Sequence, residues 1–185
     1  MLYTRKGDTG TTKTFGCDQR ISKSSAIAEA LGSLDEINSF LGLFKVKSES
    51  IVFDLEIGKL SVKDTINRIQ QDLFIIQAEL AGADKTISEE KVKWEESIID
   101  SIEKALPPIK SFFVSGGTEL AAMSDVARTI ARRAERRVVG VVEEGERKVG
   151  DYSRAYLNRL SSVLYAFARM FNHVGGIVEE APRYE

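Results

Sequence analysis

Arg128, Arg132 and Arg136 recur at every fourth residue between Met123 and Val139. On a helix turning about 100° per residue they share one polar edge with Asp125 and Glu135. Such an edge has two readings. It is either a solvated face laced with local ion pairs, or a site where planar guanidiniums take phosphate oxygens in pairs. The other side of the same stretch, Leu120, Met123, Ala127, Ile130, Ala131, Ala134, Val138 and Val141, is apolar and must face a core.

A second group with anion chemistry lies near the start, from Tyr3 through Thr12 and Lys13 to Arg20 and Lys23. Glycines there let backbone amides converge, hydroxyls add donors, and Lys and Arg supply countercharge. The pattern matches neither the G-x-x-x-x-G-K-[ST] phosphate loop nor G-x-G-x-x-G, so alone it also fits a turn-rich terminus. Residues 3–23 carry no helical period and are expected to form a loop.

Helices must position both groups. Ser24 or Ser25 should cap a first helix that turns Ile27, Leu31, Leu34, Ile37 or Asn38, Leu41 and Phe44 inward and carries Asp35 and Glu36 at its middle. Residues 45–60 read as a connector. Val62, Ile66, Ile69, Leu73, Ile76 and Leu80 alternate steps of four and three, the seam of a bundle helix over 61–81. Another helix should follow Ser88 and run to about Leu106, where Pro107-Pro108 stops it. Ser111 to Gly117 reads as a short extended segment ending in a glycine turn, with Phe112 and Phe113 as core candidates. The arginine helix should end around Gly145 to Gly150. A last helix from Asp151 to the Gly175-Gly176 stop buries Tyr156, Leu157, Leu160, Val163, Leu164, Phe167, Ala168 and Phe171, and turns Arg154, Asn158, Ser162, Tyr165 and Arg169 the other way.

The chain has 185 residues, 43% hydrophobic and 29% charged, with three prolines and a net charge of −2. These values predict one helix-rich domain, and the helix count above makes it an all-α, five-helix up-and-down bundle. A loop at 1–23, a bundle at 24–176 and a tail at 177–185 divide it. The weak net charge disfavours a protein that coats nucleic acid, although a local basic face could bind a small polyanion. Cys17 is the only cysteine and His173 the only histidine, which excludes an internal disulfide, a Cys- or His-rich metal site and a Ser-His-Asp triad. No secretory signal core and no apolar run long enough for a membrane span is recognised, so a cytoplasmic protein is expected.

Five stretches, in order, carry a resemblance: Tyr3-Thr4-Arg5-Lys6-Gly7-Asp8-Thr9-Gly10-Thr11-Thr12, Arg20-Ile21-Ser22-Lys23, Ala30-Leu31-Gly32-Ser33-Leu34-Asp35-Glu36-Ile37-Asn38-Ser39, Arg128 to Arg137, and Tyr156-Leu157-Asn158-Arg159-Leu160-Ser161. Together the chain resembles the ATP:cob(I)alamin adenosyltransferases of the PduO type over almost its whole length. The resemblance favours the anion-site reading of the arginine edge. It implies a homotrimer with active sites between subunits, and transfer of the 5′-deoxyadenosyl group of ATP to the cobalt of cob(I)alamin with release of triphosphate. By motif, Thr4, Arg5, Lys6, Gly7, Thr12, Lys13 and Lys23 would fold over the triphosphate. Arg132, Arg133, Glu135, Arg136 and Asn158 would complete the ATP site, with Mg²⁺ on the phosphates and no protein metal ligand. Arg128 would pair with Asp35 across a subunit contact beside the corrin, and Phe112 would pack under the corrin's lower face. Arg132, Arg128 and Asp35 are thus the catalytic candidates.

The resemblance also implies a reductase that supplies the cob(I)alamin electron and an adenosylcobalamin-dependent enzyme that receives the product. A carrier of the same fold, handing adenosylcobalamin to a mutase, is the alternative. RNA binding by the arginine helix is disfavoured by the absence of interleaved aromatics. Lys6, Ser115 and Asp125 depart from the family pattern, which often has Thr, Pro and His there, and the loop at Gly16-Cys17-Asp18-Gln19 is one residue longer than in some members.

Overall fold

The computed structural model describes residues 3–14 and 20–184. Cys17 and the lengthened loop at 16–19 lie outside the described residues. Among them are five helices, α1 (Ala26–Lys47), α2 (Val62–Leu80), α3 (Glu89–Ala105), α4 (Glu119–Glu143) and α5 (Asp151–Val174), with two small antiparallel hairpins. None of the helices is long and apolar enough to cross a membrane.

Of the two expected helix starts at serines, Ser25 caps α1 with its side chain, whereas Ser88 precedes α3 without a side-chain cap bond; α2 and α4 are capped as α1 is. Ser25 caps α1 by accepting from Ala28 N–H, Ser61 caps α2 by accepting from Asp64 N–H, and Thr118 caps α4 by accepting from Ala121 N–H. Each satisfies a backbone donor that the first helical turn leaves open. Replacing Ser61 with Ala should therefore lower stability by about 1 kcal/mol, read as a reduced urea midpoint with an unchanged slope. The start of α5 is held differently, by an acid from another helix. Glu79 of α2 accepts from the Gly150 N–H at 2.8 Å and from the Ser153 hydroxyl, placing a carboxylate at the positive end of the helix dipole. Only glycine fits at 150, since a Cβ there would lie 2.7 Å from the Thr86 hydroxyl.

α5 packs against α4 and α3, while α1 packs against α4 and α2. The α2 seam of Val62, Ile66, Ile69, Leu73, Ile76 and Leu80 is wholly buried, as are the inward residues expected of α5. On α4 the stripe from Ala127 to Val141 is buried, and Leu120 and Met123 pack half-buried against its edge.

Four expectations are corrected. The connector at 45–60 contains a hairpin, β3 (Val52–Leu55) with β4 (Gly58–Ser61), numbered after the N-terminal pair below. Its alternate residues Phe53 and Leu55 turn inward, and Phe53 joins Phe44, Phe167 and Phe171 in a ring cluster with centroids 5.2 to 6.5 Å apart. The N-terminal segment is likewise more than a loop, with β1 (Thr11–Lys13) paired to β2 (Arg20–Ser22) in the register Thr11 to Ser22 and Lys13 to Arg20. The segment between α3 and α4 is irregular rather than a strand. Its Phe112 is 79% exposed, which removes it from the core.

Candidate functional site

The polar edge of α4 borders two clefts. The first, about 660 Å³, lies between α3, α4, α5 and the loop before α4, with Phe112, Phe113, Tyr165, Asp125, Arg128 and Arg132 among its walls. The second, about 400 Å³, is lined by Arg132, Glu135, Arg136, Val139 and Glu143 of α4 and Asn158 of α5. Arg132 is common to both. The i, i+4 spacing explains this: each arginine stands one turn further along the same edge, so the middle one faces both neighbours.

In the first cleft Arg128 makes an ion pair with Asp125, Nε to Oδ1 at 3.3 Å, and its guanidinium carbon is 6.0 Å from the centre of the Tyr165 ring. Asp125, one of the departures from the family pattern, thus has a defined task in this chain: it orients Arg128 from one turn away. Burial pushes the Tyr165 hydroxyl pKa above its ordinary value. The aromatic Phe112 and Phe113 add apolar surface to the wall of this cleft.

In the second cleft the Asn158 amide donates to Glu135 Oε1 at 2.9 Å and its carbonyl accepts from Arg159 Nη1 at 2.7 Å. Arg159 is itself fixed by Glu96 at 2.9 Å. Arg132 and Arg136 face the same space with exposed side chains, so this cleft offers two guanidiniums to an incoming anion beside the carboxylates of Glu135, held by the Asn158 amide, and Glu143.

Arg133 turns elsewhere. It forms an ion pair with Glu36 of α1, and Arg137 one with Glu29 at 3.5 Å, so these two arginines tie α4 to α1 and line neither cleft. Asp35 is exposed on α1, and within the chain Arg128 pairs with Asp125 instead of with it.

The N-terminal basic group has its own geometry. Arg20 organises it, a role beyond the countercharge its type suggests: Nε donates to the Thr11 hydroxyl at 2.7 Å, and Nη2 to the Thr11 and Lys6 carbonyls. The Lys23 N–H donates to the Gly10 carbonyl at 2.9 Å, and the Lys23 ammonium comes close enough to Gly7 that a Cβ there would be 3.1 Å away. Arg5 adopts a left-handed conformation, φ 58°, at the turn. Thr4, Arg5, Lys6, Lys13 and Lys23 are exposed, with Gly7 and Thr12 half-buried. None of the described residues 3–14 and 20–23 lines either cleft.

Asp125, Tyr165, Arg169 and Glu143 are cleft residues that the sequence reading did not assign to the site. The i+3 offset of Asp125 from Arg128 was a usable signal. The place of Arg169 was not visible, because it depends on chain segments far away in sequence.

A helical bundle with an arginine-bearing cleft and an adjoining cleft with aromatic residues in its wall has the chemistry to hold an anion beside a partly apolar ligand. The chain belongs to the cobalamin adenosyltransferase family, whose model matches residues 2–171. It is 36% identical over 178 residues to the corrinoid adenosyltransferase of Bacillus subtilis, covering 95% of this chain and 89% of that protein. It is 37% identical over 179 residues to the corrinoid adenosyltransferase PduO of Citrobacter freundii, where 93% of this chain spans only 50% of the relative's length. Among solved structures, a variant of the PduO-type ATP:corrinoid adenosyltransferase of Lactobacillus reuteri, complexed with cobalamin and ATP, superposes with a TM-score of 0.85 at 31% identity over the whole of both chains.

Proposed function

We propose that this chain transfers the 5′-deoxyadenosyl group of ATP to the cobalt of cob(I)alamin, yielding adenosylcobalamin and triphosphate. The observation that carries the reading is Arg132, shared by a guanidinium-lined cleft and a cleft with an aromatic wall. A residue in that position can hold the leaving phosphates next to the reacting metal. Membership of the family, and a neighbouring structure complexed with both cobalamin and ATP, support the same assignment of substrates.

Cobalt(I) brings its own electron pair, so the protein needs no nucleophile. The pair forms the Co–C bond to the ATP 5′ carbon, the C–O bond breaks, and its electrons leave on triphosphate, with cobalt going formally from I to III. The chain's work is to orient and to neutralise. Arg132, Arg136 and Asn158 would hold the nucleotide in the second cleft, with Glu135 oriented by Asn158. Orientation lowers the barrier by several kcal/mol, and each charge-assisted bond to the departing phosphates adds roughly 1.5 to 3 kcal/mol. Phe112 would exclude water from the corrin's lower face. Mg²⁺ would ride on the phosphates.

The N-terminal group, Thr4, Arg5, Lys6, Gly7, Thr12, Lys13 and Lys23, completes this site in the proposed trimer by arriving from a neighbouring copy, which accounts for its separation from the clefts within one chain. In the same assembly Asp35 of one copy would meet Arg128 of the next. Arg133 would support the site through its α1 partner Glu36. The setting is reducing and cytoplasmic in this reading, since oxidants destroy cob(I)alamin. A reductase supplies the electron and an adenosylcobalamin-dependent enzyme takes the product.

The test is anaerobic mixing of the protein with MgATP and chemically reduced cob(I)alamin, following the corrin spectrum and free triphosphate together. Light-sensitive adenosylcobalamin with one triphosphate per corrin is the expected result. Tight corrin binding with no Co–C bond formed would replace the transferase by a carrier.

A further inference from the structure

Arg169 is a charged residue in a place that packing does not explain. It lies on α5 one turn beyond Tyr165, its side chain only 7% exposed, in a position where the helix otherwise buries Ala168, Met170 and Phe171. Taking a guanidinium out of water costs several kcal/mol unless its donors are matched. Here two pieces of chain, the tail and the 107–117 loop, supply two acceptors and a ring face. Nε pairs with Glu179 Oε2 at 3.1 Å, Nη2 donates to the Pro107 carbonyl at 3.2 Å, and the guanidinium carbon lies 5.1 Å from the centre of the Phe113 ring. A planar fork suits this arrangement, and a single ammonium does not.

The segment it holds cannot hold itself. Residues 107–117 begin with two prolines, contain no regular secondary structure, and end in Gly116 and Gly117 at φ 128° and 103°. Their shape is set by anchors on α5 and on the tail. Asn172 donates to the Gly116 carbonyl and accepts from the Thr118 N–H, so closely packed that a Cβ on Gly117 would fall 2.2 Å from its Oδ1. Val114 N–H donates to the Glu180 carbonyl at 2.8 Å, and Ile177 N–H to the Asn172 carbonyl at 2.9 Å. The tail is therefore tied to the loop at Val114 and to α5 at Arg169, and the loop carries exposed Phe112 into the first cleft.

We infer that Arg169 is a positioning residue for the corrin: through Glu179, Pro107 and Phe113 it clamps the C-terminal tail and the Phe112 loop together, setting the aromatic side of the first cleft. The inference rests on the assignment of that cleft to the corrin. It concerns the corrin alone, because Arg169 stands eleven residues, roughly 16 Å along α5, from Asn158 in the nucleotide cleft.

Equilibrium binding separates this from general damage. Kd values for cob(II)alamin and for MgATP are measured separately on the intact protein and on Arg169→Gln, Arg169→Lys, Glu179→Gln and the Gln double variant, each checked for native helicity. Arg169→Gln should raise the cob(II)alamin Kd at least tenfold and leave that for MgATP within twofold. Arg169→Lys should fall between, since it keeps the pairing with Glu179 but not the fork. The double variant should be no worse than Arg169→Gln, the signature of a shared interaction. Hydrogen exchange at the Val114 amide should quicken in Arg169→Gln. Unchanged cob(II)alamin affinity in folded Arg169→Gln, or equal losses for both ligands, would overturn the inference. A parent protein that binds cob(II)alamin yet transfers no adenosyl group would sink the proposed reaction while these Kd values still decide the clamp. A parent protein that binds no cob(II)alamin overturns both.

Discussion

Arg132→Ala should lower single-turnover adenosyl transfer by two to three orders of magnitude with little change in thermal stability. The stability half follows from exposure: Arg132 is on the solvent edge of α4, and Ala is the better helix former. The kinetic half follows from its place between the clefts. Charge grows on the oxygen that leaves the 5′ carbon, and a donor aimed there contributes about 3 to 4 kcal/mol to the transition state. Arg136 and Asn158 lie further from the first cleft, so neither can stand in for it. Arg132→Lys should recover part of the rate, because charge is kept while the bidentate fork is lost. The measurement is the anaerobic single-turnover rate at saturating MgATP, beside a melting curve. A rate within threefold of the parent in a folded Arg132→Ala protein would remove Arg132 from the chemistry.

What the sequence made legible divides along one physical line. Features governed by neighbours within a turn or two could be read: the α2 seam, the serine cap of α1, and the common edge of Arg128, Arg132 and Arg136. Features set by distant chain could not. Arg169 reads as solvent-facing on a helical wheel because it is charged, and it is buried because Pro107, Phe113 and Glu179 close over it. Arg133 shares the arginine run but points to Glu36, since α1 packs on that side of α4. Phe112 and Phe113 read as core by type, yet the double glycine turn and Asn172 hold Phe112 out in the open. The hairpin at 52–61 did leave a local trace, the alternation of exposed Val52 and Asp54 with buried Phe53 and Leu55, but a four-residue strand gives a period too few repeats to separate from a mixed connector. Asp35 belongs to a third kind, for its proposed partner lies on another copy of the chain.

Glu95 should make the protein less stable as pH rises, and Glu95→Gln should remove much of that slope. The inward stripe of α3 runs Val92, Glu95, Ile98, Ile102, so a carboxyl occupies a core position and is 0% exposed. Neither of its oxygens has a hydrogen-bond partner among the described residues. Burial pushes its pKa well above the ordinary 4.5, and Asp72 and Glu96 push the same way, against a smaller opposing pull from Arg159 and Arg68. Asp72 remains close because it is engaged, accepting from Lys91 and from the Tyr156 hydroxyl at 3.1 Å. Burial likewise raises the pKa of Tyr156, which stays a donor. The sign is then fixed. Above about pH 4.5 the unfolded chain gives up the Glu95 proton while the folded chain keeps it, so the native state binds more protons and stability falls with rising pH. The contribution is at most about 1.4 kcal/mol per pH unit and ends once pH passes the folded pKa. Glu95→Gln cannot ionise, so its advantage over the parent should widen as pH rises above about 5 and level off once pH passes the folded-state pKa of Glu95. Trp94, the only tryptophan, sits beside it in sequence with the Arg68 guanidinium 3.9 Å from its ring centre, and its fluorescence provides the unfolding signal. Urea titrations of both proteins across that range decide the matter: a constant difference at every pH would mean that Glu95 is ionised in the folded state and that a counter-charge has reached it in the closed seam between α2, α3 and α5.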